Sequence, residues 1–362
     1  MVEIRAPANI KIAGEHTVVK QPEIPGTDCI SVAVGKFAST RAEQSSPDQV
    51  TIVLEDGAFR CAKSFVLEEL KALNRSLEKP ADIKVFIQQN AGISGTDSEA
   101  KSETILAFGR VLSRLEAEHG VSVMGNAFFS SSRVPTQKGW GSSTAIGASF
   151  VGAVLSQAQV ILDDAKVIDM MREVDRILHK NPGAGGVDVP PVYYGGYVIG
   201  SPTTGYSNIA VSAFPDLLAV SVGPKVPTAD TVFVVNVKGR TYPTRTKEIF
   251  NAVQRIVIEE KQALQSGDNA KLGELMLSNH ALLIELGVSS EKLDAMVTLA
   301  KEKGAYGAKL SGGGGGGMGV VNCNPARYFL TETAMQDAGF EVERIEVTQT
   351  GVKKQIEEAV RM

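Results

Sequence analysis

Three glycine-rich segments, spread over nearly the whole chain, constrain this sequence more than any other feature. They lie at residues 5–17, 134–145 and 309–317, and the last one contains a run of glycines from Gly312 to Gly317. Glycine has no side chain that keeps an anion away from the backbone, so such runs bring bare N–H groups close to a phosphate. Where a run opens a helix, the unpaired amides and the helix dipole add to that attraction. The segments therefore predict an anion-binding protein.

The middle segment has the layout of a phosphate site. Residues 135–141 are typical of a loop, and the small and apolar residues from Ser142 onward predict a buried helix. We predict that a nucleotide phosphate binds the amides of residues 139–143. A plain flexible loop is the alternative, and on composition alone it is the commoner one. It is not a Walker-type loop, because no Gly-Lys-Ser/Thr follows its glycines. The residues expected to contact the nucleotide are Lys138, Gly139, Trp140, Gly141, Ser142, Ser143 and Thr144.

Together the three segments resemble the signatures of the GHMP small-molecule kinases. Residues 6–9 read Ala-Pro-Ala-Asn and residues 14–16 read Gly-Glu-His, where the family has Ala-Pro-Gly-Lys and Gly-Glu-His. In the middle segment, Trp140 stands where the family has leucine. In the third, Ser311 replaces threonine and Gly313 replaces alanine. The resemblance runs from about residue 5 to about residue 322 and so covers most of the chain.

Within that family, residues 279–294 resemble the Asn-x-x-Leu-Leu-x-x-Leu-Gly-Val-Ser-x-x-x-Leu segment of mevalonate kinases. The resemblance implies an α+β GHMP kinase fold with substrates held between two domains. The N-terminal domain, 1–203, would be like domain 2 of ribosomal protein S5, and the C-terminal domain, 204–362, would be ferredoxin-like. The boundary rests on the Pro-Thr-Thr-Gly turn at 202–205 and is good to about ten residues either way.

The resemblance also implies ATP and Mg²⁺, with transfer of the γ-phosphate to the 5-hydroxyl of mevalonate. Other acceptors stay open: an already phosphorylated mevalonate, such as mevalonate 3-phosphate, or the alcohol or sugar of another GHMP kinase. A catalytically silent ligand sensor is a further alternative. Asn9 favours the sensor, whereas Asp188, Ser143 and Glu15 favour an enzyme. The sequence also leaves a homodimer open.

Composition excludes several other classes of protein. A net charge of −4 gives no electrostatic reason to bind nucleic acid or an anionic membrane. The three cysteines are widely spaced, which favours free thiols in a reducing compartment over a disulfide framework or a zinc site. We expect no signal peptide and no membrane span, because no apolar run approaches about 18 residues. A cytoplasmic protein is therefore expected.

Hydrophobic periodicity predicts mixed α and β structure without repeats. Strands are predicted at 4–13, 29–40, 49–54, 82–88, 121–130, 193–199, 217–222 and 231–237. Helices are predicted at 64–77, 101–119, 164–179, 246–266, 269–286 and 292–303. Asp163 or Asp164 is expected to cap the third of these helices, and strands are expected on both sides of the hexaglycine.

Asp188 is the candidate catalytic base. Phosphoryl transfer to an alcohol needs charge neutralisation and a carboxylate that takes the proton. Asp188 follows a glycine-rich turn, and it matches the catalytic aspartate of the family; an aspartate that only accepts turn hydrogen bonds is the alternative. The family places a lysine at Asn9, which cannot neutralise charge. Because side chains alternate along a strand, Lys11 lies on the same side and is expected either to replace that lysine or to pair with Glu15 or a surface carboxylate.

Magnesium is expected to use few protein ligands. Ser143 and Asp175 are the candidates, the second because it lies four residues before His179, where the family has a glutamate. Glu173 is a fallback on a different helix face. For both acidic residues, a solvated helix charge is the alternative.

The remaining candidates concern the acceptor and the loop. Lys138 is expected either to reach a phosphate or to be solvated, and Trp140 either to stack near the adenine or to plug the underside of the loop. The residues expected to contact the acceptor are Glu15, His16, Tyr194, Ser311, Gly312 and Gly313. A capping role is the alternative for Glu15 and His16, and ordinary strand packing for Tyr194.

Overall fold

Two β-sheets, each packed against helices, organise the chain in a computed structural model that describes residues 1–19, 24–56, 59–74, 80–90, 99–181, 183 and 186–361. Within those ranges the strands are β1 (Val2–Ala13), β2 (Cys29–Gln44), β3 (Val50–Asp56), β4 (Phe59–Phe65), β5 (Asn126–Ser132), β6 (Tyr197–Ser201), β7 (Gly205–Ile209), β8 (Asp216–Gly223), β9 (Gly307–Ser311), β10 (Gly317–Cys323) and β11 (Glu341–Arg344). The helices are α1 (Leu67–Ala72), α2 (Pro80–Asn90), α3 (Glu99–His119), α4 (Ser142–Gln157), α5 (Asp164–Leu178), α6 (Val189–Tyr194), α7 (Thr228–Thr241), α8 (Pro243–Ser266), α9 (Asn269–Leu286), α10 (Glu291–Glu302), α11 (Tyr328–Asp337) and α12 (Val352–Arg361).

The first sheet contains β1 to β7. Its order is β4-β3-β5-β2-β6-β7, and β1 pairs with β2. All neighbours are antiparallel except β3 and β5. In the β1–β2 register Asn9 lies opposite Ala33 and Lys11 opposite Ser31. Asn9 and Lys11 therefore lie on one face of β1, as the alternation predicts.

Helix α4 packs on this sheet and carries the predicted phosphate loop at its N-terminus. Its small residues allow close approach: a Cβ on Gly152 would lie 2.7 Å from Val352 Cγ1 and 2.9 Å from Ile4 Cγ2. Phe150 is fully buried and stacks on Phe108, with ring centroids 3.8 Å apart. Packing on several sides therefore fixes the position of the helix end.

The second sheet is four-stranded and antiparallel, in the order β11-β8-β10-β9. The chain passes from the first sheet to the second between Ile209 and Asp216, and the predicted division at 203 and 204 lies in the β6–β7 hairpin. Helix α12 returns to pack on α4 and β1. The division itself stays a prediction. In the described part of the chain, no helix combines the length and apolar character needed to cross a membrane.

Two predicted strands are helices. Residues 82–88 lie in α2, where the buried Ile83 and Phe86 are three positions apart, as on one face of a helix. Residues 231–237 lie in α7, where the buried residues Thr231 and Val235 are four apart. The β-branched residues of α7 suggested a strand, but tertiary placement overrides that propensity.

Other predictions were partly wrong. The predicted strand 193–199 begins as helix α6 and becomes β6 only after two glycines, Gly195 and Gly196, with φ of 80° and 66°. The predicted helix 64–77 is the end of β4 followed by α1, and its residues 75–77 lie outside the described part of the chain. The strand predicted at 121–130 begins only at Asn126. The three helices of the C-terminal half and the Asp163 cap of α5 are confirmed.

Replacing Phe150 with alanine should lower the free energy of unfolding by about 3–5 kcal/mol, because a fully buried aromatic leaves a cavity in a packed core. Denaturant unfolding followed by far-ultraviolet circular dichroism measures this. Phe233, which is 65% exposed on α7, is the matched control, and its alanine variant should change stability by less than about 0.5 kcal/mol. Equal losses in the two variants would contradict the packing described for α4.

Candidate active site

The predicted phosphate loop ends on the N-terminus of a buried helix. Gly141 is the N-cap of α4 with a φ of 69°, and no side chain caps the helix. The loop is tied to the first sheet, because the amide of Asn9 donates a hydrogen bond to the carbonyl of Trp140 at 3.0 Å. The amides of the first turn therefore have no side-chain acceptor at the place where the sequence predicts a phosphate.

Asn9 lies against Gly141 and is fully buried. A Cβ on Gly141 would overlap the Nδ2 of Asn9, so only glycine fits here in both space and backbone conformation. The Oδ1 of Asn9 accepts a hydrogen bond from Lys11 Nζ at 2.6 Å, and its Nδ2 has no partner within the described residues. Asn9 thus supports both the phosphate loop and the neighbouring lysine.

Lys11 joins three segments that are far apart in sequence. Its Nζ forms an ion pair with Asp188 Oδ1. Its amide donates to Ser311 Oγ at 3.1 Å, and the Ser311 hydroxyl donates back to the Lys11 carbonyl at 2.9 Å. The sequence had left open a pairing of Lys11 with Glu15, but Glu15 is instead bound by Lys309. Lys11 therefore pairs with Asp188, the candidate base, and not with Glu15.

The Asp188 side chain is positioned by its ion pair with Lys11 and makes no capping hydrogen bond at the start of α6. The side chain is 34% exposed, so it reaches the open space beside Lys11. Burial raises the pKa of Asp188, but the Lys11 ammonium, aided by Lys225, more than offsets this and leaves the pKa below its ordinary value. Asp188 is therefore ionised at neutral pH and able to accept a proton.

A second carboxylate, Asp175, lies beside the phosphate loop. Its Oδ2 accepts a hydrogen bond from Thr144 Oγ1 at 2.6 Å, and the hydroxyl of Ser143 lies 2.9 Å from His179 Nε2. The Oδ1 of Asp175 is buried without a hydrogen-bond partner among the described residues. Burial raises the pKa of Asp175; the nearby His179 opposes this effect, and the charge of Asp188 raises the pKa further. The Oδ1 of Asp175 lies 3.8 Å from His179 Nε2, and the Ser143 and Asp175 oxygens are of the ligand type that Mg²⁺ prefers.

Glu173, the fallback metal ligand, is engaged in ion pairs. Its carboxylate lies between three guanidinium groups, with contacts of 3.1 Å to Arg110, 3.2 Å to Arg114 and 3.4 Å to Arg176. The pairs with Arg110 and Arg114 join α5 to α3, and the three guanidinium groups neutralise the carboxylate charge that would attract a metal ion. Glu173 is thus a structural residue.

The hexaglycine forms a second glycine wall beside Lys11. Gly312 and Gly314 have φ of 81° and 73°, a conformation that L side chains rarely adopt. The carbonyl of Gly313 lies 2.9 Å from His16 Nε2, and His16 Nδ1 is buried without a partner within the described residues. Burial lowers the pKa of His16, so its ring is neutral at pH 7. Ser311, Gly312, Gly313 and His16 therefore lie together, as the sequence predicts.

Glu15 does not present a free carboxylate. Its Oε1 forms an ion pair with Lys309 Nζ, and their side chains are 2% and 0% exposed. Lys309 also donates to the Leu310 carbonyl at 2.8 Å. A fully buried pair of this kind joins the end of β1 to β9, and the other oxygen, Glu15 Oε2, has no hydrogen-bond partner within the described residues, so the expected acceptor contact of Glu15 stays a prediction.

Three further candidates make contacts within the protein. The side chain of Lys138, a residue of the phosphate loop, donates to both carboxylate oxygens of Glu341 at 2.6 Å. Trp140 is 3% exposed and packs in the core, so of its two expected roles it plugs the loop. The hydroxyl of Tyr194 donates to Asp164 at 3.2 Å, at the opposite end of α5 from Asp175 and about 16 Å away along the helix axis.

Sequence reasoning missed Lys225. It follows β8, and its charge acts on both Asp188 and Lys11. It lies in none of the three glycine segments, so no local pattern marked it.

The comparisons with known proteins agree with this geometry. The family model for the GHMP kinases N terminal domain matches residues 106–196, and the model described as GHMP kinases C terminal matches residues 261–327. The first range contains the phosphate loop and Asp188, and the second contains the hexaglycine. Both halves of the chain therefore match GHMP kinase models, and the chain has the two-domain GHMP kinase fold and is an ATP-dependent kinase.

Within the superfamily, the chain is similar to mevalonate kinases over nearly its whole length. It is 27% identical to the mevalonate kinase of Pyrococcus abyssi over 344 residues, which cover 94% of this chain and 93% of that protein. The crystal structure of Methanococcus jannaschii mevalonate kinase is 22% identical, with a TM-score of 0.72 and coverage of 96% and 98%. The L. major mevalonate kinase in complex with R-mevalonate is 23% identical, with a TM-score of 0.72 and coverage of 97% of each chain. The chain is thus similar to mevalonate kinases in both sequence and fold.

Replacing Gly141 with alanine should weaken binding of Mg·ATP about tenfold or more. The new Cβ would overlap Asn9 and push the loop away from the sheet. Isothermal titration calorimetry measures this affinity. Gly120 has a similar φ of 63° but open space around it, so Gly120→Ala carries the same backbone strain without the overlap. Equal affinity in the two variants would contradict the loop as the phosphate site.

Replacing Lys11 with methionine should move the acid limb of the kcat/KM profile to higher pH. In the wild type, Lys11 lowers the pKa of Asp188, so the base stays ionised well into the acidic range. Without that charge, burial raises the pKa and activity is lost at a higher pH. Kinetics between pH 4 and pH 8 test this, because the wild-type kcat/KM should stay level to a lower pH than that of Lys11→Met. Lys11→Arg, which keeps the charge, is the control; an unmoved limb in Lys11→Met would show that Asp188 is not the titrating base.

Proposed function

We propose that this enzyme transfers the γ-phosphate of ATP to the 5-hydroxyl of mevalonate. The observation that carries the proposal is the Lys11–Asp188 ion pair, which lies between the uncapped N-terminus of α4 and the hexaglycine. A cation-supported carboxylate between two sets of glycine amides meets the needs of phosphoryl transfer to an alcohol.

In the proposed reaction, Asp188 accepts the proton of the acceptor hydroxyl. The hydroxyl oxygen forms a bond to the γ-phosphorus, the bond from that phosphorus to the β–γ bridging oxygen breaks, and the electron pair leaves with ADP. Lys11 keeps Asp188 ionised before transfer, and Ser311 fixes the backbone of Lys11 through two hydrogen bonds. Positioning supplies much of the rate enhancement in such a reaction.

Ser143 and Asp175 would hold Mg²⁺, which when bound neutralises charge on the phosphate oxygens of ATP. His179 lies within hydrogen-bond distance of the Ser143 hydroxyl and can orient it. Thr144 fixes the other oxygen of Asp175. These contacts leave one carboxylate oxygen of Asp175 for the cation.

Mevalonate is favoured as the acceptor by the relatives. The Pyrococcus abyssi relative, which is similar along almost the whole chain, is a mevalonate kinase, and one neighbouring mevalonate kinase structure contains R-mevalonate. The buried Nδ1 of His16, which has no partner in the described part of the chain, is a candidate contact for the acceptor. We expect the reaction to take place in the cytoplasm, since the free thiols of Cys29, Cys61 and Cys323 suit a reducing compartment.

A coupled ADP-release assay with mevalonate, mevalonate 3-phosphate, mevalonate 5-phosphate, galactose and homoserine tests the acceptor. We expect the highest kcat/KM with mevalonate. A phosphorylated mevalonate as the best acceptor would overturn the proposed substrate but leave the kinase chemistry. Tight ATP binding without turnover of any acceptor would support a sensor instead.

The same assay tests the base. Asp188→Asn should lower kcat by several orders of magnitude while ATP affinity changes little, because the proton is accepted only during transfer. Asp48→Asn, at an exposed turn residue, should leave kcat unchanged. A kcat for Asp188→Asn within about tenfold of the wild type would contradict the assigned role.

A further inference from the structure

Lys225 lies on the hexaglycine wall, across from the residues of the first sheet. It follows the end of β8, and a Cβ on Gly317 would lie 3.4 Å from the Cβ of Lys225. A Cβ on Gly316 would lie 3.9 Å from its Cα. The backbone of Lys225 therefore runs beside the last two glycines of the run. Lys225 thus follows a strand of the second sheet, whereas Lys11 lies in a strand of the first sheet.

The charge of Lys225 acts on the reaction centre. The charged groups that influence it are Asp188, which attracts it, and Lys11, which repels it. Lys225 forms no hydrogen bond or ion pair with any residue that the structure describes, although its side chain is only partly exposed. By contrast, the neighbouring ammonium groups of Lys11 and Lys309 each pair with a carboxylate. Lys225 is thus a half-buried cation without its own counter-ion.

The balance of charge at this point favours an incoming anion. Lys11 and Asp188 neutralise each other, so Lys225 adds a positive charge that acts on the pair, while the nearby Asp175 carboxylate is assigned to Mg²⁺. Asn9, on the same face of β1 as Lys11, is neutral and fully buried. In phosphoryl transfer, negative charge is spread over the oxygens of the moving group, and a positioned cation stabilises it.

We propose that Lys225 is a catalytic residue that contacts the transferring phosphoryl group from the second domain. The proposal rests on the proposed function only in taking ATP as the donor and Asp188 as the base, and it holds for any acceptor alcohol. In this arrangement, phosphoryl transfer depends on both domains, because Asp188 and Lys225 approach the phosphoryl group from opposite domains.

Single-turnover phosphoryl transfer by Lys225→Met tests this role. The rate constant should fall by about 10²–10³, as when one preorganised charge or donor is removed from a transition state. Lys225→Arg keeps the charge and should retain activity within about tenfold. Lys301→Met is the matched control, because Lys301 is an exposed residue of α10 that lies outside the glycine segments and outside the residues assigned to the mechanism. It should stay within twofold of the wild type.

Chemical rescue separates the charge from a structural effect. Lys225→Cys should be nearly inactive. Alkylation with 2-bromoethylamine rebuilds an ammonium side chain and should raise the transfer rate of this variant at least about tenfold. Wild-type enzyme treated in the same way controls for reaction at Cys61, which is partly exposed. Failure of rescue in a correctly folded, fully alkylated protein would overturn the proposal.

The outcomes distinguish this proposal from the proposed function. A loss confined to the KM of the acceptor, with the transfer rate retained, would overturn it and assign Lys225 to an anionic group of the acceptor. If the wild type phosphorylates another alcohol, the transfer experiment is run with that acceptor. If no acceptor is turned over, the proposed function fails, and the affinities for Mg·ATP and Mg·ADP test the role of Lys225. Lys225→Met should reduce the preference for Mg·ATP over Mg·ADP about tenfold. An unchanged ratio of the two affinities would overturn the proposal.

Discussion

The structure of the site depends on the interactions of Lys11. Its side chain binds Asp188, and its backbone is bonded twice to Ser311, which is 300 residues away in sequence. One residue of β1 thereby sets the distance between the candidate base and the hexaglycine. Its own position follows from the β1–β2 register, in which a slip of one residue would turn the side chain to the opposite face of the sheet. The ion pair also keeps Asp188 ionised, because it opposes the effect of burial on the pKa.

Asn9 shows how a departure from the family signature is accommodated. At the position where the signature has lysine, this chain has a fully buried amide that lies against Gly141 and accepts a hydrogen bond from Lys11. The amide supports the phosphate loop from below, which a longer charged side chain would not do in the same space. Cationic groups are instead found at Lys11 in the first domain and Lys225 in the second. The change at Asn9 therefore moves positive charge to neighbouring positions and does not by itself argue for a silent protein.

The parts predicted from sequence are those fixed by local chemistry. Glycines followed by small apolar residues identified the loop before α4. Strand patterns on both sides of the hexaglycine identified β9 and β10. Partners across the chain were harder: Lys138, Glu15 and Tyr194 bind Glu341, Lys309 and Asp164, and no spacing in the sequence distinguishes these pairings from contacts with a substrate. Lys225 was missed for the same reason, since only the fold brings it to Asp188. The strand predicted at 231–237 failed because α7 exposes apolar residues, including Phe233, that a pattern assigns to a sheet.

A crystal structure with Mg²⁺, a non-hydrolysable ATP analogue and mevalonate tests the central claim most directly. The account predicts phosphates on the amides of residues 139–143, with the terminal phosphate between Lys11 and the hexaglycine. The carboxylate of Asp188 should lie within about 2.6–3.2 Å of the acceptor hydroxyl. A nucleotide bound away from the N-terminus of α4, or an acceptor hydroxyl directed away from Asp188, would contradict it.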